Sequence, residues 1–297
     1  ASVEHLCRVL DQPGSFGPSR LALDMPVEAP ELHRARIAAA LELIRAGDIY
    51  QVNLARRFML SVSGHPFAIL ASLGVRGRFP YCAAFRLGGL DIASSSPELF
   101  LKTDGRRLYT APIKGTRPRG RHAEQDRALL QELAESEKEA AELTMILDVE
   151  RNDLGRVAKT GTVRLLQRPS VTTYPTLHHR AALLGAILKD DVDFEALLQA
   201  MLPSGSVTGA PKHRAMQVIA ELEAHRRGLY TGAFGTLSHG RELTLAMAIR
   251  TLTVREGEGH YFSGGGIVAD SQPGREIEET AWKALQLLPL QARSPRA

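Results

Sequence analysis

The segment 91-DIASSSPELFLKTDGRRLYTAPIKGTRPRG-120 sets the expected fold, because it alternates runs of strand character with turn residues. No helix of crossover length separates the runs, so neighbouring strands are expected to pair antiparallel. Pro112, Gly115 and Pro118 surround Lys114 near its end and predict a shaped loop after a strand. The alternative for this lysine is a solvated position in a basic surface loop.

The rest of the chain adds helices and further strands. Apolar residues at helical spacing, with Gly47 as a stop signal, predict helices at 31–49, 122–149, 193–202, 211–227 and 276–288. The strand-like runs are YQVNLARRFML, FPYCAAFRL, LDIASSSPELFLKT, RRLYTAPI, TVRLLQRP, TGAFGTLS, LTLAMAIRTLTV and HYFSGGGIVA. Two strand-rich halves surrounded by helices predict an α+β fold of packed layers.

Composition excludes several classes of protein. The chain has 297 residues, 44% hydrophobic and 24% charged, as in globular proteins. Without a run of about 18 apolar residues or a secretion signal, neither a membrane span nor export is expected. The distant Cys7 and Cys82 favour a reducing, cytoplasmic compartment. The net charge of +4 is dispersed and favours a small anionic ligand over nucleic acid.

Acidic residues crowd the segment 137-EKEAAELTMILDVERNDLGRV-157. In a single long helix, Glu135, Glu139 and Glu142 would fall on one face at i, i+4 and i+7. The interleaved apolar residues should bury one face, and a buried carboxylate needs a cation. The alternative is a solvated helix face.

A second acidic pair lies in 270-DSQPGREIEETAWK-283. Glu276 and Glu279 stand one helical turn apart, a spacing that can hold one hard cation. The alternative is again a solvated face, with an ion pair between Glu279 and Lys283.

The loop 203-PSGSVTGAPKHRA-215 is a candidate anion site. It leads into a helix with Pro211 in the first turn, so free backbone N–H groups and a positive helix end should face the loop. Ser206 and Thr208 are the candidate ligand contacts in it. The sequence thus predicts an oxyanion site.

Gly264, Gly265 and Gly266 follow a strand and would let a ligand approach the backbone closely. Their spacing matches neither the dinucleotide fingerprint nor the phosphate loop. Tyr230 and Arg250 could hydrogen-bond a carboxylate, although a structural role is the alternative for each.

Six strings occur together in one order: GDIYQVNLARRF, SSSPELFL, PIKGTRPRG, LDVERNDLGRV, PSGSVTGAPK and GGGIVADSQPGREIEET. In this combination the chain resembles the chorismate-utilising enzymes, the family of anthranilate synthase, isochorismate synthase and aminodeoxychorismate synthase component I. The resemblance runs from about residue 31 to 288. It implies an α+β fold in which two antiparallel sheets pack together with helices outside.

The resemblance also implies roles for single residues. Mg²⁺ is expected between a substrate carboxylate and the glutamates Glu142, Glu276 and Glu279. Glu98 matches a general acid that protonates the leaving C4 hydroxyl, and His179 matches a histidine near the same position, with His178 as the other register. The expected substrate contacts are Gln51, Ser206, Thr208, Tyr230, Arg250, Gly264, Gly265, Gly266 and Lys283.

Two positions are expected to select the reaction. Isochorismate synthases are similar but have a lysine where this chain has Gln51, which disfavours addition of water at C2. Anthranilate synthases resemble the loop as Pro-Ile-Ala-Gly-Thr, whereas a lysine at the position of Lys114 is typical of aminodeoxychorismate synthases. The resemblance therefore implies that Lys114 is the nucleophile that attacks C2 of chorismate. Arg117 and Arg119 are expected to lower its pKa, and the glutamates and bound dianion to raise it.

The expected activity is conversion of chorismate and ammonia to 4-amino-4-deoxychorismate with Mg²⁺, a step toward p-aminobenzoate and folate. The chain shows no nucleophile-elbow cysteine, so a glutamine amidotransferase subunit is the expected ammonia source. The alternatives are an anthranilate synthase component I and a non-catalytic anion-binding subunit of the same fold.

Three regions are expected along the chain. Turn-rich residues 1–30 form an arm or linker, 31–288 a chorismate-binding catalytic domain, and 289–297 a tail. Relatives usually carry a longer N-terminal region, so this chain is expected to be a fragment, one domain of a larger polypeptide or a naturally short form.

Overall fold

The computed structural model describes residues 20–23, 29–65, 68–70, 79–175, 177–238 and 242–284. The expected tail at 289–297 lies outside these residues, as does most of the expected arm at 1–30. Within that arm, Arg20–Leu23 form a strand that pairs with the first long strand of a sheet.

Seven of the described strands form the first sheet, in which every pair is antiparallel. They are β1 (Arg20–Leu23), β2 (Gln51–Ser63), β3 (Tyr81–Leu87), β4 (Leu90–Ser96), β10 (Gly209–Ala210), β13 (Thr251–Arg255) and β14 (Glu258–Ile267). The order is β1-β2-β14-β13-β4-β3, and β10 pairs with the start of β2. The long β2–β14 pair therefore lies near the middle of the sheet.

The second sheet also contains seven of the described strands, again antiparallel. They are β5 (Leu99–Asp104), β6 (Arg107–Ala111), β7 (Ile113–Pro118), β8 (Arg164–Thr173), β9 (Leu177–Ile187), β11 (Ala233–Leu237) and β12 (Glu242–Met247). The order is β11-β12-β5-β6-β9-β7, and β8 also pairs with β9.

Two runs predicted as single strands instead cross between the sheets. LDIASSSPELFLKT becomes β4 and β5, and LTLAMAIRTLTV becomes β12 and β13. At the second crossing Arg250 has a φ of 51°, which an extended strand cannot accommodate. The crossings lie side by side, because the Ser95 amide donates to the Arg250 carbonyl at 3.2 Å and the Met247 amide to the Glu98 carbonyl at 3.1 Å. This pairing brings Glu98 and Arg250 together.

The described helices are α1 (Pro30–Arg45), α2 (Ala123–Glu135), α3 (Glu137–Val157), α4 (Phe194–Met201), α5 (Lys212–Leu222) and α6 (Pro273–Ala284). The ends of α1, α4 and α5 differ from the predicted ranges by a few residues, and Gly47, at a φ of 80°, follows the end of α1. None of the helices in the described part of the chain is long and apolar enough to cross a membrane.

The single helix predicted at 122–149 is wrong, because α2 and α3 are separated at Ser136. Ser136 is extended, with a ψ of 109°, and its hydroxyl accepts a hydrogen bond from the Glu139 amide at 3.3 Å. This cap starts a new helix. The sequence pattern predicted that Glu135 shares a helix face with Glu139 and Glu142. Because Glu135 belongs to α2 and the other two to α3, it does not.

Each sheet has its own layer of helices. Phe100 and Leu184 of the second sheet pack in one buried cluster with Leu143 of α3. Val52 of β2 packs in another with Ile37 of α1. The predicted α+β class, two antiparallel sheets flanked by helices, is confirmed.

Candidate active site

A cavity lies where the two sheets meet. Strands β2 and β14 of the first sheet, β7 and β9 of the second, and helices α3 and α6 contribute to its wall. The predicted site residues that line it are Glu98, Lys114, Glu142, His179, Ser206, Tyr230, Arg250, Gly264, Gly265, Gly266, Glu276, Glu279 and Lys283. Residues distant in sequence thus converge on one space.

A β-bulge places Lys114 in the cavity. The segment predicted as a loop is strand β7, and its pairing with β9 shifts register between Lys114 and Thr116. Gly115, at the bulge, has a φ of 77°, as its predicted freedom requires. The Lys114 side-chain nitrogen donates to the Ser206 carbonyl oxygen at 2.9 Å.

Burial dominates the electrostatics of Lys114, which is 8% exposed. Desolvation lowers the pKa of its amine, while the nearby Glu142 and Glu98 carboxylates raise it and Lys283 lowers it further. The net direction is downward, which favours the neutral, nucleophilic form.

The prediction that Arg117 and Arg119 lower the pKa of Lys114 is wrong. Arg117 is paired with Glu132 at 3.1 Å and with Glu139 at 3.2 Å. Arg119 forms a two-pronged ion pair with Asp126, at 2.7 and 2.8 Å. Both guanidinium charges are therefore neutralised by carboxylates of α2 and α3.

Glu98 is buried at the crossing from β4 to β5, with 4% of its surface exposed. Its carboxylate accepts a hydrogen bond from the Ser206 hydroxyl at 2.5 Å. Burial raises the pKa of Glu98 to about 7, against the opposing effects of the Ser206 hydrogen bond and of Lys114. A carboxyl group that holds its proton near neutral pH is suited to act as a general acid.

Arg250 presents an unpaired donor to the cavity. Its guanidinium lies 4.3 Å above the Phe79 ring, and Nη2 donates to His179 Nε2 at 2.9 Å. Nη1 is buried and has no hydrogen-bond partner among the described residues. A buried guanidinium with a free donor is suited to bind a carboxylate.

The two histidines of β9 face opposite ways. His179 lines the cavity, whereas the His178 ring contacts Asp126 at 3.1 Å and Thr173 at 2.8 Å. Burial, followed by the charge of Arg250, holds the pKa of His179 well below its usual value, so this imidazole is neutral. Since Nε2 accepts from Arg250, the proton of His179 is on Nδ1.

The glycines of β14 leave room that a side chain would fill. A Cβ at Gly265 would lie 3.3 Å from Glu276 Oε2, and one at Gly266 would lie 3.6 Å from the Lys114 nitrogen. A side chain at either glycine would therefore take up space between the lysine and the acidic helix α6.

Three carboxylates from two helices face this part of the cavity. The Lys138 ammonium spans Glu142 of α3 at 3.8 Å and Glu276 of α6 at 3.9 Å. Lys283 pairs with Glu279 at 2.6 Å and also donates to the Gly264 carbonyl at 2.8 Å. The pKa of Glu142 is raised to about 7 by burial, whereas Lys283 lowers that of Glu279.

These glutamates fit the chemistry of a hard divalent cation, although among the described residues no three such side chains already form a metal-binding group. Their oxygen donors suit Mg²⁺, and Glu276 and Glu279 converge on the bare backbone of Gly265. Lys138 shows that a positive charge is accommodated between Glu142 and Glu276.

Gln51 and Thr208, predicted as substrate contacts, are not among the residues that line the cavity. The Thr208 hydroxyl donates to the Ser204 carbonyl at 2.8 Å, inside its own loop. Gln51 lies beside Gly266, where a Cβ would be 2.8 Å from its Nε2. Thr208 thus supports the loop, and Gln51 lies beside Gly266 on the side that also faces Lys114.

Two backbone amides of the loop before β10, which was predicted as an oxyanion site, already have hydrogen-bond partners in the protein. The Gly205 amide already donates to Glu150 at 3.0 Å, and the Ser206 amide to the Ser204 hydroxyl at 3.1 Å. The loop closes a single 3₁₀ turn, Gly205–Val207, and of these two N–H groups one is used within the turn and the other by α3.

Sequence reasoning missed Asn53 and Ser263. Both line the cavity, and Asn53 Oδ1 and the Ser263 hydroxyl are buried without a partner among the described residues. Asn53 is two residues from Gln51 on β2, and this alternation of polar residues in a buried strand is a signal that could have identified it. Both atoms are available to hydrogen-bond a polar group in the cavity.

The chain is similar to known proteins. The pattern of the family described as chorismate binding enzyme matches residues 11–289. The chain belongs to this family. Anthranilate synthase component 1 of Thermus thermophilus is 44% identical over 92% of this chain and 58% of its own length. Aminodeoxychorismate synthase component 1 of Bacillus subtilis is 40% identical over 83% and 52%.

Solved structures of the family share the fold. Anthranilate synthase component I from Streptococcus pneumoniae superposes with a TM-score of 0.83 at 34% identity, covering 97% of this chain and 66% of that one. The chain thus spans about half to two thirds of the length of these relatives.

Proposed function

We propose that the chain is the chorismate-aminating part of an aminodeoxychorismate synthase component I. The observation that carries the proposal is the place of Lys114, buried in the cavity and joined to the carbonyl of Ser206, whose hydroxyl contacts Glu98. A nucleophile and a general acid thus face one space.

Chorismate is a dicarboxylate with a leaving hydroxyl at C4, and the cavity offers groups for each part. The free Nη1 of Arg250 would donate to one carboxylate. Glu142, Glu276 and Glu279 would hold Mg²⁺, which when bound supplies positive charge to the other carboxylate. Both ends of the substrate would then be fixed before any bond breaks.

The reaction follows from these positions. The neutral amine of Lys114 attacks C2, and the C4 hydroxyl leaves as water with a proton from Glu98. Ammonia then adds at C4, and the C2–nitrogen bond breaks to return neutral Lys114. The new ammonium group returns one proton to the Glu98 carboxylate, which closes the proton balance.

A second candidate is anthranilate formation, in which ammonia adds at C2. It is favoured by the 44% identity to the anthranilate synthase component of Thermus thermophilus. In that reaction a Lys114 amine bonded to C2 would block the carbon that ammonia must attack. A non-catalytic anion-binding role needs Arg250 but gives no use to the buried Lys114 and Glu98.

The test is to identify the product formed from chorismate, Mg²⁺ and ammonium by chromatography. The proposal expects 4-amino-4-deoxychorismate, and formation of anthranilate alone would overturn it. Absence of any turnover, with chorismate binding retained, would favour the non-catalytic role.

Ammonia is proposed to come from a glutamine amidotransferase subunit, since relatives of both kinds are named component 1. The purified chain should use ammonium salts, best at alkaline pH where free NH₃ is plentiful, and should not use glutamine. Turnover with glutamine alone would contradict this.

A further inference from the structure

A chain of hydrogen bonds joins Glu98 to a second buried carboxyl group outside the cavity. The Ser206 hydroxyl contacts Glu98 at 2.5 Å, the Ser204 and Ser206 hydroxyls lie 2.9 Å apart, and the Ser204 hydroxyl contacts Glu150 at 2.5 Å. Glu150 belongs to α3 and is not among the residues that line the cavity. Three short contacts therefore connect two carboxyls through two hydroxyls.

Counting protons shows what this chain requires. Each hydroxyl carries one proton, so the two serines can fill only two of the three contacts. The third is filled only when one carboxyl is protonated. If Glu150 holds that proton, every hydrogen bond points toward Glu98; if Glu98 holds it, every bond points toward Glu150. The complete chain thus contains one proton shared between the two glutamates.

The surroundings favour one shared proton over two charges. Glu150 is fully buried, and its Oε2 has no hydrogen-bond partner among the described residues. A carboxylate there would be poorly solvated, whereas a carboxylic acid carries no net charge. The Gly205 amide donates to Glu150 at 3.0 Å, which fixes the atom that faces Ser204.

Other charges face the two groups from each neighbouring element. Asp153 of α3 and Lys212 of α5 act on Glu150, and these two also form their own ion pair at 2.6 Å. Lys114 and Arg250 act on Glu98. Burial nevertheless raises the pKa of both glutamates to about 7, so the shared proton exchanges near neutral pH.

We propose that Glu150 is a proton reservoir for Glu98, and that Ser204 and Ser206 carry the proton between them. Glu150 protonates Ser204, Ser204 protonates Ser206, and Ser206 protonates Glu98, which then gives this proton to the leaving hydroxyl. Three protons move by one bond each, and the negative charge passes to Glu150. The proton later released by the new amine returns along the same path. This inference rests on the proposed function, and Glu150 acts only through Glu98.

The kinetic test uses Glu150→Gln and Ser204→Ala. Each cuts the path without removing either partner of the Ser206–Glu98 contact. We expect kcat to fall roughly tenfold with little change in the KM for chorismate, as for loss of a proton-transfer step. In mixtures of H₂O and D₂O, a plot of the wild-type turnover rate against the deuterium fraction should be curved, because several protons move together. The same plot should be a straight line for both variants.

Asp153→Asn is the matched control. It removes a neighbouring carboxylate of α3. This carboxylate also anchors the loop of Ser204 and Ser206, because its partner Lys212 donates to the Pro203 carbonyl at 3.0 Å. Asp153→Asn should lower the stability of the folded protein but keep the curved dependence of the turnover rate on deuterium fraction. If Glu150→Gln behaves like Asp153→Asn in this assay, Glu150 only holds the loop and the relay is refuted.

Infrared titration of the substrate-free protein tests the shared proton without turnover. Glu150→Gln should lower the pKa at which the remaining Glu98 carboxyl loses its C=O band, because the negative charge of Glu150 raises the pKa of Glu98. An unchanged titration would overturn the relay whatever product forms. If Glu150→Gln shifts the titration but the wild-type protein makes anthranilate from chorismate, the relay stands and only the proposed function is overturned.

Discussion

The Lys114 amine donates a hydrogen bond to the Ser206 carbonyl oxygen at 2.9 Å, across the space between β7 and the loop that precedes β10. The hydroxyl of the same serine contacts Glu98. One residue thus aligns the proposed nucleophile and the proposed acid. Ser206 is in turn held by Ser204, whose hydroxyl contacts both its hydroxyl and its amide.

The acidic residues of α6 predict the metal dependence. Glu276→Gln and Glu279→Gln should each lower turnover by orders of magnitude at low Mg²⁺, because each removes an anionic oxygen ligand. Glu142→Gln on α3 should do the same. A magnesium titration of the initial rate measures this.

Glu278→Gln is the matched control on the same helix, since this side chain is exposed and is not among the residues that line the cavity. It should keep the wild-type magnesium dependence. Three cavity variants that titrate with magnesium like Glu278→Gln would refute the metal assignment.

Arg250 predicts the affinity for substrate. Arg250→Lys keeps the positive charge but loses the planar fork that contacts both His179 and the cavity. The KM for chorismate should rise roughly 10- to 100-fold, because a charge-assisted hydrogen bond is worth about 1.5–3 kcal/mol. An unchanged KM would show that the substrate carboxylates bind elsewhere.

The bare backbone of β14 predicts a steric effect. In Gly266→Ala the new methyl group would meet the Gln51 amide at 2.8 Å and approach the Lys114 nitrogen at 3.6 Å. We expect kcat to fall at least tenfold with the fold retained, because misplacing a reacting group by about 1 Å is costly. Gly274→Ala, with no atom within 4 Å of its Cβ, is the control and should retain activity. Equal activity of the two variants would contradict this reading.

The buried Glu150 predicts how stability depends on pH. Its pKa is about 7 when folded and 4.5 ordinarily, so the folded state keeps its proton longer than the unfolded state does. Wild-type stability should fall as pH rises from about 4.5 through 7, by an amount on the order of 3 kcal/mol from this group.

Glu150→Gln lacks this titration, so its stability relative to wild type should improve between mildly acidic and alkaline pH. Urea unfolding over that range measures the difference. A stability difference that does not change with pH would show that Glu150 titrates normally.

The residues themselves predicted strand-rich halves surrounded by helices, and the family resemblance of motifs such as PIKGTRPRG added the two packed sheets and most of the cavity residues. Gly115 is one example, since glycine permits the positive φ that it adopts, although the segment predicted as a loop is a bulged strand. The break at Ser136 was also present in the sequence, as the capping pattern Ser-Glu-Lys-Glu, but the apolar periodicity continues through it.

Other features depend on contacts between distant segments. The pairing of Arg117 with Glu139 and the crossing at Arg250 follow from how sheets and helices pack, which spacing along the chain does not reveal. The same holds for Glu150, whose partner Ser204 is 54 residues away.

The central claim is that Lys114 is a nucleophile, and the comparison of Lys114→Arg with wild type tests it most directly. Arginine keeps a positive charge at this position but stays protonated and cannot attack C2. At saturating ammonia and Mg²⁺, the rate of 4-amino-4-deoxychorismate formation is measured by chromatography, with Lys114→Ala alongside. The account predicts that both variants lose this product by at least about 100-fold, within the range known for loss of a catalytic group, and that any residual amination shifts to C2. A Lys114→Arg variant that forms the 4-amino product at the wild-type rate would contradict it.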